Sequence, residues 1–251
     1  MAIQISGTTA FVTGANRGIG RALVEALLAR GAAKVYAASR RPEALDDLVS
    51  ASGGRVVPVR LDVTRPGEVR AAAALADDVR LLINNAGVVA KFGGELTDPQ
   101  WIAAGREEYE VNVLGALAVT QAFVPALTRR PGAAIANLSS VAGLVNFPII
   151  TSYSASKAAL HSVTQATRAQ LAPLGVQVAG VYPGPIDTDM ARPIELDKAT
   201  PADAANAILD GLEEGRDEIF PDPMSAQLGE LYLRSPKALE QQVSAPQPVA
   251  A

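Results

Sequence analysis

Two patterns of apolar and polar positions alternate along this chain. Short runs that are apolar on both faces, "TTAFVT" (8–13), "KVYAAS" (34–39), "RVVPVR" (55–60), "VRLLIN" (79–84), "AAIANLS" (133–139) and "VQVAGVY" (176–182), read as buried strands. Between them, apolar residues recur at helical spacing over 18–31, 42–51, 65–76, 106–129, 152–172 and 201–215. "DEIFP" (217–221) adds a last short strand. Strand and helix in strict alternation predict an α/β fold, a doubly wound sandwich around a central, mostly parallel sheet of about seven strands. No linker or internal repeat divides the chain, so residues 1–251 read as one domain. Residues 243–251, rich in Pro and Ala, read as a frayed tail or one lying on a partner subunit.

Composition narrows the chemistry. With 49% of its residues apolar, a chain of 251 residues can bury a sizeable core. A net charge of −4, spread without a basic stripe, gives nucleic acid no surface to grip. Cysteine is absent and His161 is the single histidine, which excludes disulfides, thiolate metal sites and cysteine nucleophiles, so no metal is expected. His161 itself lies in a helical pattern and reads as a packing or surface residue. The N-terminus lacks the basic start and apolar core of a signal peptide. The longest apolar runs fall short of a membrane span. A soluble cytoplasmic protein is the expectation.

Two local motifs carry chemistry. The first strand runs into "TGANRGIG" (13–20) and then a helix. Gly14, Gly18 and Gly20 stand where the backbone must turn tightly and approach a ligand, and the helix start presents free N–H groups to an anion. At the first strand-to-helix junction of a parallel sheet this predicts a dinucleotide site. The end of the second strand, where an NAD site usually places an acid, reads Ser39, Arg40, Arg41. Guanidinium groups suit a 2′-phosphate, and Arg17 could supply a further positive charge. NADP(H) is therefore preferred, with NAD(H) as the alternative. The second motif is "YSASK" (153–157): on a helix, Tyr153 and Lys157 are neighbours, and an adjacent ammonium favours the phenolate.

Taken in order, "TGANRGIG" at 13–20, "LDVT" at 61–64, "NNAG" at 84–87, "VNVLG" at 111–115, "LSS" at 138–140, "YSASK" at 153–157 and "YPGPIDTDM" at 182–190 make the chain resemble the classical short-chain dehydrogenase/reductase family over nearly its whole length. The resemblance implies a Rossmann-like fold and a set of roles. Tyr153 would be the general acid/base, and Lys157 would lower its pKa and grip the nicotinamide ribose. Ser140, rather than its neighbour Ser139, would hold the substrate oxygen, and Asn112 would anchor a water-mediated proton path to Lys157. For the cofactor it implies contacts from Gly14, Asn16, Arg17, Gly18, Ile19 and Gly20 in the turn, and from Ser39, Arg40 and Arg41. Asp62 and Val63 would meet the adenine, and Asn85, Ala86 and Gly87 would lie beside the ribose. Tyr153 and Lys157 would also touch the cofactor, while Pro183, Gly184, Ile186 and Thr188 would cradle the carboxamide. The stretch Trp101–Asn112 is longer than the common family pattern, which leaves the start of that helix open.

The substrate pocket is expected to be lined by Val141, Leu144, Val145, Phe147, Ile149 and Met190, with Val89 and Phe92 behind "NNAG". These apolar side chains favour a hydrophobic ketone or secondary alcohol, and the short segment after Pro183–Gly184 suggests a small lid. Alanine-rich faces on 106–129 and 152–172, with the family resemblance, imply a homo-oligomer, a dimer or tetramer. The expected activity is NADPH-dependent carbonyl reduction or, reversibly, alcohol oxidation. The alternatives are an NAD(H)-dependent dehydrogenase for a small hydroxy metabolite, epimerisation or dehydration of a nucleotide sugar, and a non-catalytic NADP(H) sensor.

Overall fold

A computed structural model describes residues 2–244. Its sheet contains seven strands, β1 (Thr9–Thr13), β2 (Lys34–Ser39), β3 (Val56–Arg60), β4 (Leu81–Asn84), β5 (Ala134–Leu138), β6 (Gln177–Val181) and β7 (Glu218–Ile219). They lie in the order β3-β2-β1-β4-β5-β6-β7, and every pairing is parallel. Val12 pairs with Ala37 of β2 on one side and Ile83 of β4 on the other, so the strand order reverses about β1. A crevice opens at such a reversal, beyond the carboxyl ends of the strands. The turns after β1, β4, β5 and β6 all discharge onto that edge.

Alternation along the strands divides the core between two helical layers. Ala10 and Val12 face α1 (Gly18–Ala29) and α7 (Pro201–Glu213), whose Leu23, Leu27, Ile208 and Leu212 are fully buried. Phe11 faces the other layer, made by α3 (Pro66–Leu75), α5 (Ala116–Thr128) and α6 (Thr151–Leu171), and meets Phe123 at a ring separation of 4.6 Å. The short α2 (Asp46–Ala51) caps the β2–β3 crossover.

Several boundaries differ from the sequence pattern. The helix expected at 106–129 begins earlier, as α4 (Gln100–Tyr109), and passes through a π-helical turn, Glu110–Gly115, into α5. This continuous helix, 100–128, is long and apolar enough to cross a membrane by length and composition, which corrects the reading that no stretch reaches that length. Half of its most apolar window is buried inside the protein, as in the core helix of a packed sheet layer. Two further helices were not anticipated: α8 (Pro223–Arg234) and α9 (Pro236–Ser244). The tail read as frayed from residue 243 is corrected in part: Val243 and Ser244 complete α9, and Val243 packs near Tyr182 and Leu239. Residues 245–251 lie outside the described residues.

Candidate active site

The turn after β1 is shaped by steric necessity. Gly14 has φ +66°, and a Cβ on Gly20 would stand 2.3 Å from the Gly14 carbonyl oxygen and 2.4 Å from Asn85 Nδ2. Asn85 Nδ2 donates to the carbonyls of Thr13 (2.8 Å) and Gly14 (3.1 Å), tying the end of β4 to this turn. From beneath, the buried Thr13 hydroxyl accepts from the backbone N–H groups of Asn85 and Ala86, each at 3.0 Å. The result is a rigid, side-chain-free cradle at the start of α1, the arrangement that admits a pyrophosphate.

A cleft of about 360 Å³ extends from this cradle across the carboxyl edge of the sheet. At one end it is lined by Asn16, Arg17, Gly18 and Ile19, then Ser39, Arg40 and Arg41, then Asp62 and Val63. Arg40 and Arg41 are exposed, and the buried Ser39 hydroxyl accepts from Arg41 N at 3.2 Å. Burial alone would push the Asp62 carboxyl up, but hydrogen bonds from Thr64 and the charges of Arg40 and Arg65 hold it below its ordinary value. Arg17 forms an exposed ion pair with Asp189 at 3.3 Å, in the segment that follows β6. The middle of the cleft is formed by Asn85, Ala86 and Gly87 with Pro183, Gly184, Ile186 and Thr188. Asp222, buried at the start of α8, fixes that second segment: its Oδ2 accepts from Gly184 N at 2.8 Å while Oδ1 accepts from Ser225 N.

Tyr153, Lys157, Ser139 and Ser140 line the inner wall. Lys157 Nζ lies 5.5 Å from the centre of the Tyr153 ring and donates to the Leu138 carbonyl at 2.6 Å. Ser139 donates to the Lys157 carbonyl (3.0 Å), whereas Ser140 donates to the Pro183 carbonyl (3.2 Å) and accepts from Ala142 N. Of these two hydroxyls it is that of Ser140 that acts on the phenol, drawing its pKa down. The expectation that the ammonium depresses the phenol is not met. Burial dominates and raises Tyr153 above its ordinary value, with the Glu108 carboxylate adding to the rise, and burial alone brings Lys157 down to about 8. Removing both groups from water favours their neutral forms more than their proximity favours the charged ones.

Asn112 does not line the cleft. It sits in the π-helical turn behind it, where Oδ1 accepts from Val88 N (2.8 Å) and Nδ2 donates to Val88 O and Ser156 Oγ, both at 3.0 Å. The expected pocket residues divide. Val141, Phe147, Ile149 and Met190 line the cleft with Val89 and Phe92, but Leu144 and Val145 do not. The short helical turn Val141–Gly143 carries those two toward Tyr182 and Leu228 of α8, where they pack. Lining residues not singled out from the sequence include Val88, Ile150, Ile194, Leu196 and Met224, of which Ile150, Ile194 and Leu196 fall in segments, 141–150 and the one after Pro183, already expected to line the pocket. Met224 comes from α8, which the sequence pattern did not reveal, and the others are apolar residues on irregular segments without periodicity. His161 serves packing, its Nδ1 2.6 Å from the buried Tyr182 hydroxyl.

Comparison with known proteins agrees with this fold. The sequence profile of the short chain dehydrogenase family matches residues 8–199. A crystal structure of a short chain dehydrogenase from Burkholderia cenocepacia J2315 in complex with NADP superposes with a TM-score of 0.89 at 44% identity, covering 97% of this chain and 100% of that one. Ketoacyl reductase HetN of Nostoc sp. is 30% identical over 245 residues, 91% of this chain and 84% of its own. A short chain dehydrogenase of Pseudocercospora fijiensis is 31% identical over 196 residues, 76% of this chain and 63% of its own. The match thus spans less than two thirds of that relative's length, and of a second fungal relative's. The profile, the neighbours and the seven-stranded parallel sheet agree that the chain belongs to the classical short-chain dehydrogenase/reductase family of oxidoreductases.

Proposed function

We propose that this protein is an NADPH-dependent carbonyl reductase, and in reverse an alcohol dehydrogenase, for hydrophobic ketones and secondary alcohols. The observation that carries the reading is one continuous cleft with the glycine cradle and three arginines at one end and Ser140, Tyr153 and Lys157 among apolar side chains at the other. The cradle fits a dinucleotide because no Cβ can occupy it. Ser39, Arg40 and Arg41 favour a 2′-phosphate by charge-assisted hydrogen bonds, and the NADP bound to the Burkholderia cenocepacia protein supports the same choice. When bound, the cofactor supplies the hydride. Ser140, by rotating its hydroxyl away from Pro183, and Tyr153 donate to a carbonyl oxygen as it gains charge. A phenol held above its ordinary pKa keeps its proton at neutral pH and can surrender it to an alkoxide, with Lys157 steadying the phenolate left behind. The apolar walls, with Ile149 and Met190 more than a third exposed at the mouth, suit a greasy substrate. The name of the HetN relative is compatible with carbonyl reduction.

The test is NADPH oxidation against a panel of aromatic and aliphatic ketones. Turnover confined to one polar metabolite removes the substrate assignment, and no turnover with tight NADPH binding favours the sensor. Tyr153→Phe should lower kcat by roughly 100- to 10,000-fold while leaving NADPH affinity near normal. Replacing Arg40 and Arg41 together with serine should raise KM for NADPH by roughly 10- to 100-fold and leave that for NADH unchanged. Equal losses for both cofactors would overturn the NADP(H) preference. We also propose a homo-oligomer, dimer or tetramer, built on the face of helix 100–128 that leaves Ile102 65%, Tyr109 46% and Leu114 42% exposed. Sedimentation of Ile102→Glu against wild type reads it directly.

A further inference from the structure

Glu108 is completely buried, and proton transfer at Tyr153 makes no use of it. Its Oε1 accepts from Ala90 N at 2.8 Å. One helical turn on, Asn112 takes both backbone groups of Val88. Two side chains four apart on one helix therefore hold alternate residues of the chain leaving β4. The residues carried by that segment, Val89 and Phe92, pack with Ala142, Phe147, Ile150 and Tyr153, and Gly93 N donates to the Ile149 carbonyl at 2.7 Å. The clip on Ala90 thereby sets the apolar wall beside the phenol.

The other half of the carboxylate is unused. Among the described residues Glu108 Oε2 has no hydrogen-bond partner, and neither does the buried hydroxyl of Ser152 on α6. The two belong to facing turns. Asn112 bonds Ser156, and one turn earlier on α6 Ser152 Cβ lies 3.5 Å from where a Cβ on Gly105 would stand, two turns before Asn112 and three residues before Glu108. One orphan is an acceptor and the other a donor, each expensive to leave unpaired. The carboxylate also raises the pKa of Tyr153, the residue next to Ser152.

We propose that Glu108 is a positioning residue that sets substrate specificity: its Oε1 holds the Ala90 amide, and rotation of the Ser152 side chain brings that hydroxyl onto the free Oε2, bracing the Val89–Phe92 wall and the α6 turn bearing Tyr153 as one block. The specificity claim rests on the reading of the cleft as a ketone-reducing site. The brace itself does not, and hydrogen exchange of the 86–92 segment reads it without turnover. In Glu108→Ala, exchange at 86–92 should quicken by about tenfold or more, and KM for a bulky aromatic ketone should rise about tenfold, with kcat and the Kd for NADPH within about threefold of wild type. Glu108→Gln keeps an acceptor for Ala90 and gains a donor for Ser152, so it should restore both. Should the alanine variant fail to fold, Ser152→Ala carries the test: it should raise the same KM about threefold at unchanged NADPH affinity. Unchanged exchange in Glu108→Ala, a glutamine variant as impaired as the alanine one, or an unchanged KM in Ser152→Ala overturns the proposal. If wild type oxidises NADPH with no ketone, the functional reading falls, and exchange still decides the brace.

Discussion

Replacing Lys157 with methionine should flatten the stability of the protein at alkaline pH. Lys157 is 4% exposed, and burial brings its ammonium from 10.5 down to about 8. Between those values an unfolded lysine still holds a proton that the folded one has released. Folding is therefore favoured as pH rises through that window, and the gain disappears as pH falls toward 8. Below that both states are charged, and the folded one carries a constant penalty of about 3 kcal/mol for a desolvated cation. About 2 kcal/mol of the change falls between about pH 7 and 9.5. Tyr153 is raised by burial and titrates above this range, so it does not disturb the comparison. Methionine keeps most of the volume and loses the charge. It also leaves the Leu138 carbonyl without the donor now 2.6 Å away, a loss of about 1–3 kcal/mol that does not depend on pH. Urea unfolding without cofactor, at matched pH values, separates the two effects. Wild type should gain about 2 kcal/mol on the variant between about pH 7 and 9.5. Parallel stability curves would refute the claim that burial governs this lysine.

Two further substitutions probe the cradle. Thr13→Val preserves shape but strips the acceptor from the N–H groups of Asn85 and Ala86, so unfolding free energy should drop by about 2–4 kcal/mol; a change within about 0.5 kcal/mol would mean the cradle has another support. Gly20→Ala drives a methyl into the Gly14 carbonyl, and NADPH affinity read by fluorescence titration should weaken by roughly 10- to 100-fold, whereas unaltered affinity would deny the turn its role.

The strands were legible because a parallel strand covered on both faces must be largely apolar, as Leu81, Leu82 and Ile83 of β4 are. The glycine turn was legible because its chemistry is local. The helices α8 and α9 escaped notice because a mixed polar sequence follows a two-residue strand. "DPMS" did hold a signal: Asp222 as N-cap, Pro223 at the first helical position and Ser225 completing a capping box. The π-helical turn at 110–115 had none, since one extra residue per turn leaves the apolar spacing almost unaltered. Leu144 and Val145 were misplaced for a related reason. Composition identifies them as apolar, but only the short turn after Ser140 decides that they pack under α8 instead of facing the cleft.

The deeper limit lies in the dielectric. Spacing makes Tyr153 and Lys157 neighbours, and that much is written in five residues. Their charges depend on what covers them, and the covering groups come from across the chain: Leu138 at the end of β5, Ser140 beyond it, Glu108 on α4 and the wall of Val89 and Phe92. In water, an ammonium 5.5 Å from a phenol ring would tilt it toward phenolate; in this enclosure the loss of hydration outweighs the attraction for both partners. The same enclosure withholds hydration from any charge that forms inside it, so an alkoxide arriving beside Tyr153 would draw the proton more strongly than it could in solvent. On the proposed reading, a site that resists ionisation at rest would give up its proton only when the substrate oxygen demands it.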